Sequence, residues 1–252
     1  MRDTLQNKQH FINQIIVYQE SIRELRVLIN KNKAENINLL KNALIADSIS
    51  ILLAQYSGGI SLNEVKKQLV VTIKLIETNW NDSLKVTSGK ITLNQYDLET
   101  YDHLLWLLSL GYLLNIENND FNKLVQIIDK DGVKDKLYEY IIKAKIPDRP
   151  TSNNESYQSF FGVPLCYEKI REAIEETDKK VSEGKIKEYI TKIWYKNHHE
   201  CGWYDNHKTN KEIYLGYWSF ETAAIVKILE INDNQFINCE YYPKDLVHYR
   251  EN

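Results

Sequence analysis

Six apolar residues near the start of the chain, Phe11, Ile15, Tyr18, Ile22, Leu25 and Ile29, follow one another at alternating steps of four and three. Only an α-helix gathers such positions on one face, because 3.6 residues complete a turn. The spacing therefore predicts one long helix with Gln, Glu and Arg on its outer side. Such a stripe can pack within one chain or pair two chains; packing within the chain is the expectation.

The same periodicity recurs downstream. Ile37, Leu40, Leu44, Ser48 and Ile51 predict a second helix over Ala34–Tyr56, closed by Ser57-Gly58-Gly59, since glycine accepts the left-handed conformation that ends helices. Ser61-Leu62-Asn63-Glu64 has the form of a capping box, in which two side chains satisfy the free amides of a helix start. The helix it opens turns Leu62, Val65, Leu69, Ile73, Ile76 and Trp80 inward. Residues 81–92 are polar and read as a loop. Leu98, Tyr101, Leu105, Leu108 and Tyr112 mark a fourth helix, with shorter ones around Phe121–Ile128 and Val133–Ala144. Pro147-Asp148-Arg149-Pro150 and the small polar residues to Asn154 cannot continue a helix and suit an exposed linker. They predict a division into helical domains 1–147 and 148–252. Beyond the linker, helical spacing returns around residues 167–174, 186–194 and 220–228. Only 9 Gly and 4 Pro among 252 residues argue against a turn-rich β-sandwich, and no β-type alternation of any length occurs. The expected fold is all-α, a bundle-like array of about nine helices without significant sheet.

Formal net charge is −3, with 18 acidic and 14 basic residues from Asp148 onward, leaving +1 for residues 1–147. No basic stripe interleaved with aromatics is present, so nucleic-acid binding is not expected. The densest acidic group, Glu172, Glu175, Glu176 and Asp178, is the candidate contact for a partner protein, against the plainer reading of a solvated helix face. The N-terminal residues contain no apolar leader, and no apolar run approaches the ~20 residues of a membrane span. Cys166, Cys201 and Cys239 are odd in number and lack CxxC spacing, which favours a reducing compartment, the cytoplasm.

Metal-type side chains concentrate at His198, His199, Cys201 and His207. Zinc needs three or four ligands converging in a tetrahedron. Two adjacent histidines diverge, and no HxxxH or CxxC anchors the set, so loop residues bonded to backbone are the better explanation. His103, alone on a helix, reads as structural. No GxSxG elbow, Walker loop, HExxH or dinucleotide fingerprint is found, and no cofactor is implied.

One long stretch has a distinctive sequence. Tyr214-Leu215-Gly216-Tyr217-Trp218-Ser219-Phe220-Glu221-Thr222-Ala223-Ala224, continuing to Leu229, resembles the C-terminal helix of PoNi-type immunity proteins. Tyr241-Tyr242-Pro243-Lys244-Asp245-Leu246-Val247-His248-Tyr249 is similar to that family's close. Trp194-Tyr195 and Trp203-Tyr204-Asp205-Asn206-His207 resemble a stretch upstream of it, and Arg2-Asp3-Thr4-Leu5 with its long helix resembles the family's N-terminal domain. The resemblance implies an all-helical, non-enzymatic protein that binds and neutralises a secreted antibacterial DNase of metal-dependent, restriction-enzyme-like type. The signature residues read as scaffold. Phe220, Ala223, Ala224 and Leu229 face a core, Tyr217 and Trp218 wedge against Tyr241-Tyr242-Pro243, and Glu221, Asp245 and His248 form a polar cluster that ties the last segment down. The competing readings are a metal-dependent hydrolase built on His198, His199, Cys201 and His207, and a helical scaffold unrelated to toxins.

Overall fold

The four–three stripe becomes helix α1 (Lys8–Lys31), with Phe11 and Ile22 buried and Ile15, Tyr18, Leu25 and Ile29 half-buried. It lies along α2 (Ile37–Ser57), the most apolar helix of the N-terminal region, and α3 (Leu62–Asn79) packs on α2 as well. The structure is a computed structural model that describes residues 1–31, 36–150, 155–156, 165–209 and 213–250; Ala34 and Glu35 of the predicted second helix lie outside these. By length and composition α2 is apolar enough to cross a membrane, which corrects the expectation that no segment approaches that limit. Here it turns nine residues inward, among them Leu44, Ile45, Ile49, Leu52 and Tyr56. Ser61 caps α3 by accepting the Glu64 N–H, while the Glu64 carboxylate pairs with Lys67 at 2.6 Å.

By internal packing the chain divides into two compact units, Met1–Leu84 with Asp205–Gly216, and Lys85–Tyr204 with Tyr217–Asn252. Pro147, the boundary expected from the sequence, falls inside the second of these units. In the first unit, the returning segment is fastened to the N-terminus and α2. The Tyr214 hydroxyl donates to Asp3 Oδ2 (2.5 Å), Ser57 Oγ donates to the Leu215 carbonyl (2.5 Å), and His10 Nε2 donates to the Tyr214 carbonyl (2.7 Å). Asp3 Oδ1 also accepts the amides of Leu5 and Gln6. Arg2 donates to the carbonyls of Tyr56 and Ile60, with its guanidinium 4.6 Å from the Tyr56 ring centre.

The second unit begins with a hairpin, β1 (Lys85–Ser88) and β2 (Ile91–Tyr96), antiparallel and paired Thr87 to Thr92 and Ser88 to Ile91. Part of the predicted loop is thus a small sheet, turned at Gly89 with φ +62°. Helix α4 (Leu98–Leu113) forms the centre, with twelve residues buried, and α5 (Asn118–Asp131), α6 (Lys136–Lys145) and α10 (Phe220–Leu229) pack around it. At Gly111 a Cβ would meet the Phe121 ring at 2.8 Å, so only glycine lets α4 and α5 come this close. The segment after α6 is not a free linker where described. Arg149 forks onto Asp129 of α5 (2.6 and 3.0 Å) and onto Glu139 of α6 (2.8 and 2.9 Å); Thr151–Asn154 lie outside the described residues. These ties and the packing of α5 and α6 on α4 join residues 85–150 to the C-terminal core. Helices α7 (Glu168–Ala173) and α8 (Lys179–Glu188) follow, then a π-helical turn over Tyr189–Ile193 running into the single turn α9 (Trp194–Asn197). After α10, the one-turn α11 (Lys244–Val247) packs back on it.

Candidate functional site

Helix α4 carries a carboxylate into the apolar centre of the second unit. Asp102, 1% exposed, accepts the Tyr167 hydroxyl at 2.5 Å, with the Trp203 indole N–H at 3.4 Å and the Cys201 thiol at 3.5 Å on its other oxygen. Glu221, in the first turn of α10 and fully buried, accepts Tyr189 Oη (2.9 Å) and Ser219 Oγ (2.6 Å), while its Oε2 makes no hydrogen bond of ordinary geometry with a described residue. Burial pushes Asp102 up to about 7, against the pull of the Tyr167 hydroxyl, and Glu221 up to about 6, against that of Ser219. Each group bears its charge poorly in this medium. The same burial, with Asp102 nearby, drives the thiols of Cys166 and Cys201 far above neutrality and keeps both protonated.

The signature aromatics converge beside this pair. Trp203 stacks on Trp194 (centroids 5.5 Å) and lies 5.5 Å from Tyr217, while Tyr195 stacks on both Tyr241 (4.9 Å) and Tyr204 (4.6 Å). The Ser219 amide donates to the Tyr241 carbonyl at 2.9 Å, which fastens the Tyr217-Trp218 corner against the Tyr241-Tyr242-Pro243 corner. Phe220, Ala223 and Ala224 are fully buried, whereas Leu229, expected to face the core, is half-exposed near the helix end. The expected cluster of Glu221, Asp245 and His248 does not form as one group. Glu221 is engaged with Tyr189 and Ser219, and His248 Nε2 bonds instead to Asp233 Oδ2 at 3.0 Å, which also accepts Tyr242 Oη at 3.0 Å. In the sequence Asp233 is visible only as part of a short acidic turn, which carries no sign that it will meet Tyr242 and His248.

The metal-type side chains are dispersed. His198 is buried, its Nδ1 donates to the Trp194 carbonyl at 2.6 Å, and desolvation holds its pKa down to about 4. His199 is exposed and bonded to the Lys196 carbonyl, Cys201 faces Asp102, and His207 belongs to the first unit, beside the Tyr214 ring. Among the described residues no three His, Cys, Asp or Glu side chains converge as metal ligands.

The acidic face of α7 and α8 is largely countered. Glu172 pairs with Lys169 and Lys185 (both 3.1 Å), Glu176 with Lys185 (2.5 Å) and Glu175 with Lys136, and the two lysines hold the Glu172 carboxyl below its ordinary pKa. Asp178 caps α8 by accepting the Lys180 amide at 2.8 Å. Residues 168–188 hold seven acidic and six basic side chains, a surplus of one negative charge.

The first unit has a different surface feature, which sequence reading did not find. An open cleft of about 540 Å³ runs between α1 and α3 over α2, lined by Ile29, Leu44, Val71 and Leu75 together with Arg26, Lys41 and Lys74.

The fold and these sites define a mostly helical protein. Residues 2–126 match the N-terminal part of the PoNe immunity protein (PoNi) family, and residues 133–246 match its C-terminal part. The chain belongs to that family. It is also similar in fold to the crystal structure of protein PA2201 from Pseudomonas aeruginosa, at 16% sequence identity and a TM-score of 0.55, over 93% of this chain and 87% of that one. No curated protein matches the chain.

Proposed function

We propose that this chain protects its producer by binding a secreted antibacterial toxin, a metal-dependent DNase, in a one-to-one complex that keeps the toxin from its substrate. The observation that carries the reading is the match of nearly the whole length, in both parts, to a family described by immunity to PoNe. The interior supports a binding rather than a chemical role. Asp102, Glu221, His198 and Cys201 are each spent on internal hydrogen bonds, and the thiols are held protonated. Protection against a few active nuclease molecules requires a dissociation constant near the nanomolar scale, about −12 kcal/mol. A DNase presents a basic groove to phosphates, so an acidic face such as Glu172, Glu175, Glu176 and Asp178 steers the encounter, within the limit set by the lysines among them. The complex forms in the cytoplasm, with no membrane, nucleic acid or cofactor taking part.

Co-expression with a PoNe-type toxin from the same strain tests the reading. Survival of the cells together with co-purification of the two proteins in equal amounts is the expected result. Death of cells that express both at matched levels defeats it.

A further inference from the structure

The cleft of the first unit unites two properties. Its floor is aliphatic: Leu44 is 3% exposed and Leu75 8%, with Ile29 and the half-exposed Val71 on the flanks. Its walls bear three cations, Arg26 from α1, Lys41 from α2 and Lys74 from α3, and no carboxylate is among the described residues that line it. None of the three makes an ion pair with a described residue, in contrast to the paired charges of the α7–α8 face. Because α1 and α3 pack on α2 and barely on each other, the space between them is left open along the helix direction.

We propose that this cleft docks an acidic, amphipathic helix of the toxin, its apolar side on Leu44, Val71 and Leu75 and its carboxylates against Arg26, Lys41 and Lys74. The proposal rests on the reading that the chain binds a toxin, and adds which surface is used and what chemistry it takes. Apolar anchors at helical spacing fit a groove floored by aliphatic side chains, and the three cations around it, which pair with no described residue, select an acidic partner. Nucleic acid suits the cleft poorly: its bases stack on aromatic rings, and none lines this floor. A second copy of the cleft would set like charges face to face. The docked element therefore lies away from the basic DNA-binding surface of a nuclease, so part of the contact acts as an anchor rather than as the block itself.

The test uses the full chain and the purified PoNe-type toxin that it binds, inactivated by substitution in its own catalytic site. A benzophenone amino acid placed at Val71 is irradiated in the mixture, and the crosslinked toxin peptide is sequenced. An acidic peptide with apolar residues three and four apart is expected. Crosslinks to a basic toxin peptide, to a second copy of this chain, or to nothing while the complex forms, overturn the proposal. Separately, R26E/K41E/K74E should bind the toxin at least ~10-fold more weakly at unchanged helix content. Should that variant misfold, R26Q/K41Q/K74Q is measured in its place and should still lose several-fold affinity; binding equal to wild type overturns the docking site but leaves the toxin-binding reading standing. Failure of the wild-type chain to bind the toxin at all removes both.

Discussion

The Tyr214 hydroxyl and Asp3 Oδ2 meet at 2.5 Å although 211 residues separate them, and both side chains are buried. Asp3 is satisfied by two backbone amides on one oxygen and by this phenol on the other. Tyr214→Phe leaves a buried carboxylate oxygen without that donor, and a hydrogen bond to a charged group contributes about 1.5–3 kcal/mol. Urea unfolding of the full chain should show that loss. A midpoint within error of wild type would make the contact incidental.

Four buried ionisable groups in the second unit contribute opposing slopes to the response to pH. Folding raises Asp102 to about 7 and Glu221 to about 6, and lowers His103 and His198 to about 4, in every case chiefly through burial. A raised carboxyl contributes stability at low pH that is lost as pH rises through the folded pKa. A lowered imidazole contributes stability above its unfolded pKa that is lost as pH falls. Between about pH 4.5 and 6 the unfolded chain binds two protons on the imidazoles, and the folded chain binds two on the carboxyls, so the slopes cancel. Wild-type stability should be nearly flat in this window as far as these four groups decide it. In Asp102→Asn the unfolded state binds one more proton than the folded, and stability should climb with pH by about 1.4 kcal/mol per unit. Equal slopes for the two proteins, measured by denaturant titration at pH 4.5, 5.25 and 6, would reject the assignment.

Two glycines in helices should respond in opposite senses. Gly111→Ala forces a methyl group against Phe121 at the α4–α5 crossing and should cost about 1–3 kcal/mol. Gly184, in α8, has open space where a Cβ would go, and Gly184→Ala should stabilise by up to about 1 kcal/mol. Thermal melts of the two variants, run side by side, decide the matter.

Arg149 binds carboxylates on two helices at once, and Asp129 and Glu139 hold its charge firmly in place. Asp129 is half-exposed, so solvent discounts that arm. Arg149→Met should cost about 1–2 kcal/mol, less in high salt. A loss that does not change between 0.05 and 1 M salt would point to packing of the stem alone.

Reversing Glu172, Glu175 and Glu176 to lysine should slow association with the toxin roughly three- to tenfold at low salt and flatten its salt dependence. Association kinetics that do not change remove the α7–α8 face from the account.

Helices were legible wherever one face meets a core, as at Phe11 to Ile29 and Leu98 to Tyr112, because burial imposes the 3.6-residue period. The hairpin was not, since its strands are short and neither face is consistently buried. A signal existed in Gly89-Lys90 flanked by Val86-Thr87 and Ile91-Thr92, a two-residue turn between β-branched pairs. The carboxylates of the acidic face were visible in the sequence, but Lys136 and Lys185, which offset them, arrive from other helices. The cleft depends on how far apart α1 and α3 sit on α2, a quantity that no local pattern encodes.

The strap carrying Tyr214 has a consequence for synthesis. The amino-terminal helices leave the ribosome early, yet the segment that fastens Asp3, His10 and Ser57 is made only when the chain is about five-sixths complete. At ~5–20 residues per second, the first unit waits roughly 6 to 26 seconds after Leu84 for its last piece. A message cut short before codon 214 makes the amino-terminal helices without the contacts that fasten Asp3, His10 and Ser57.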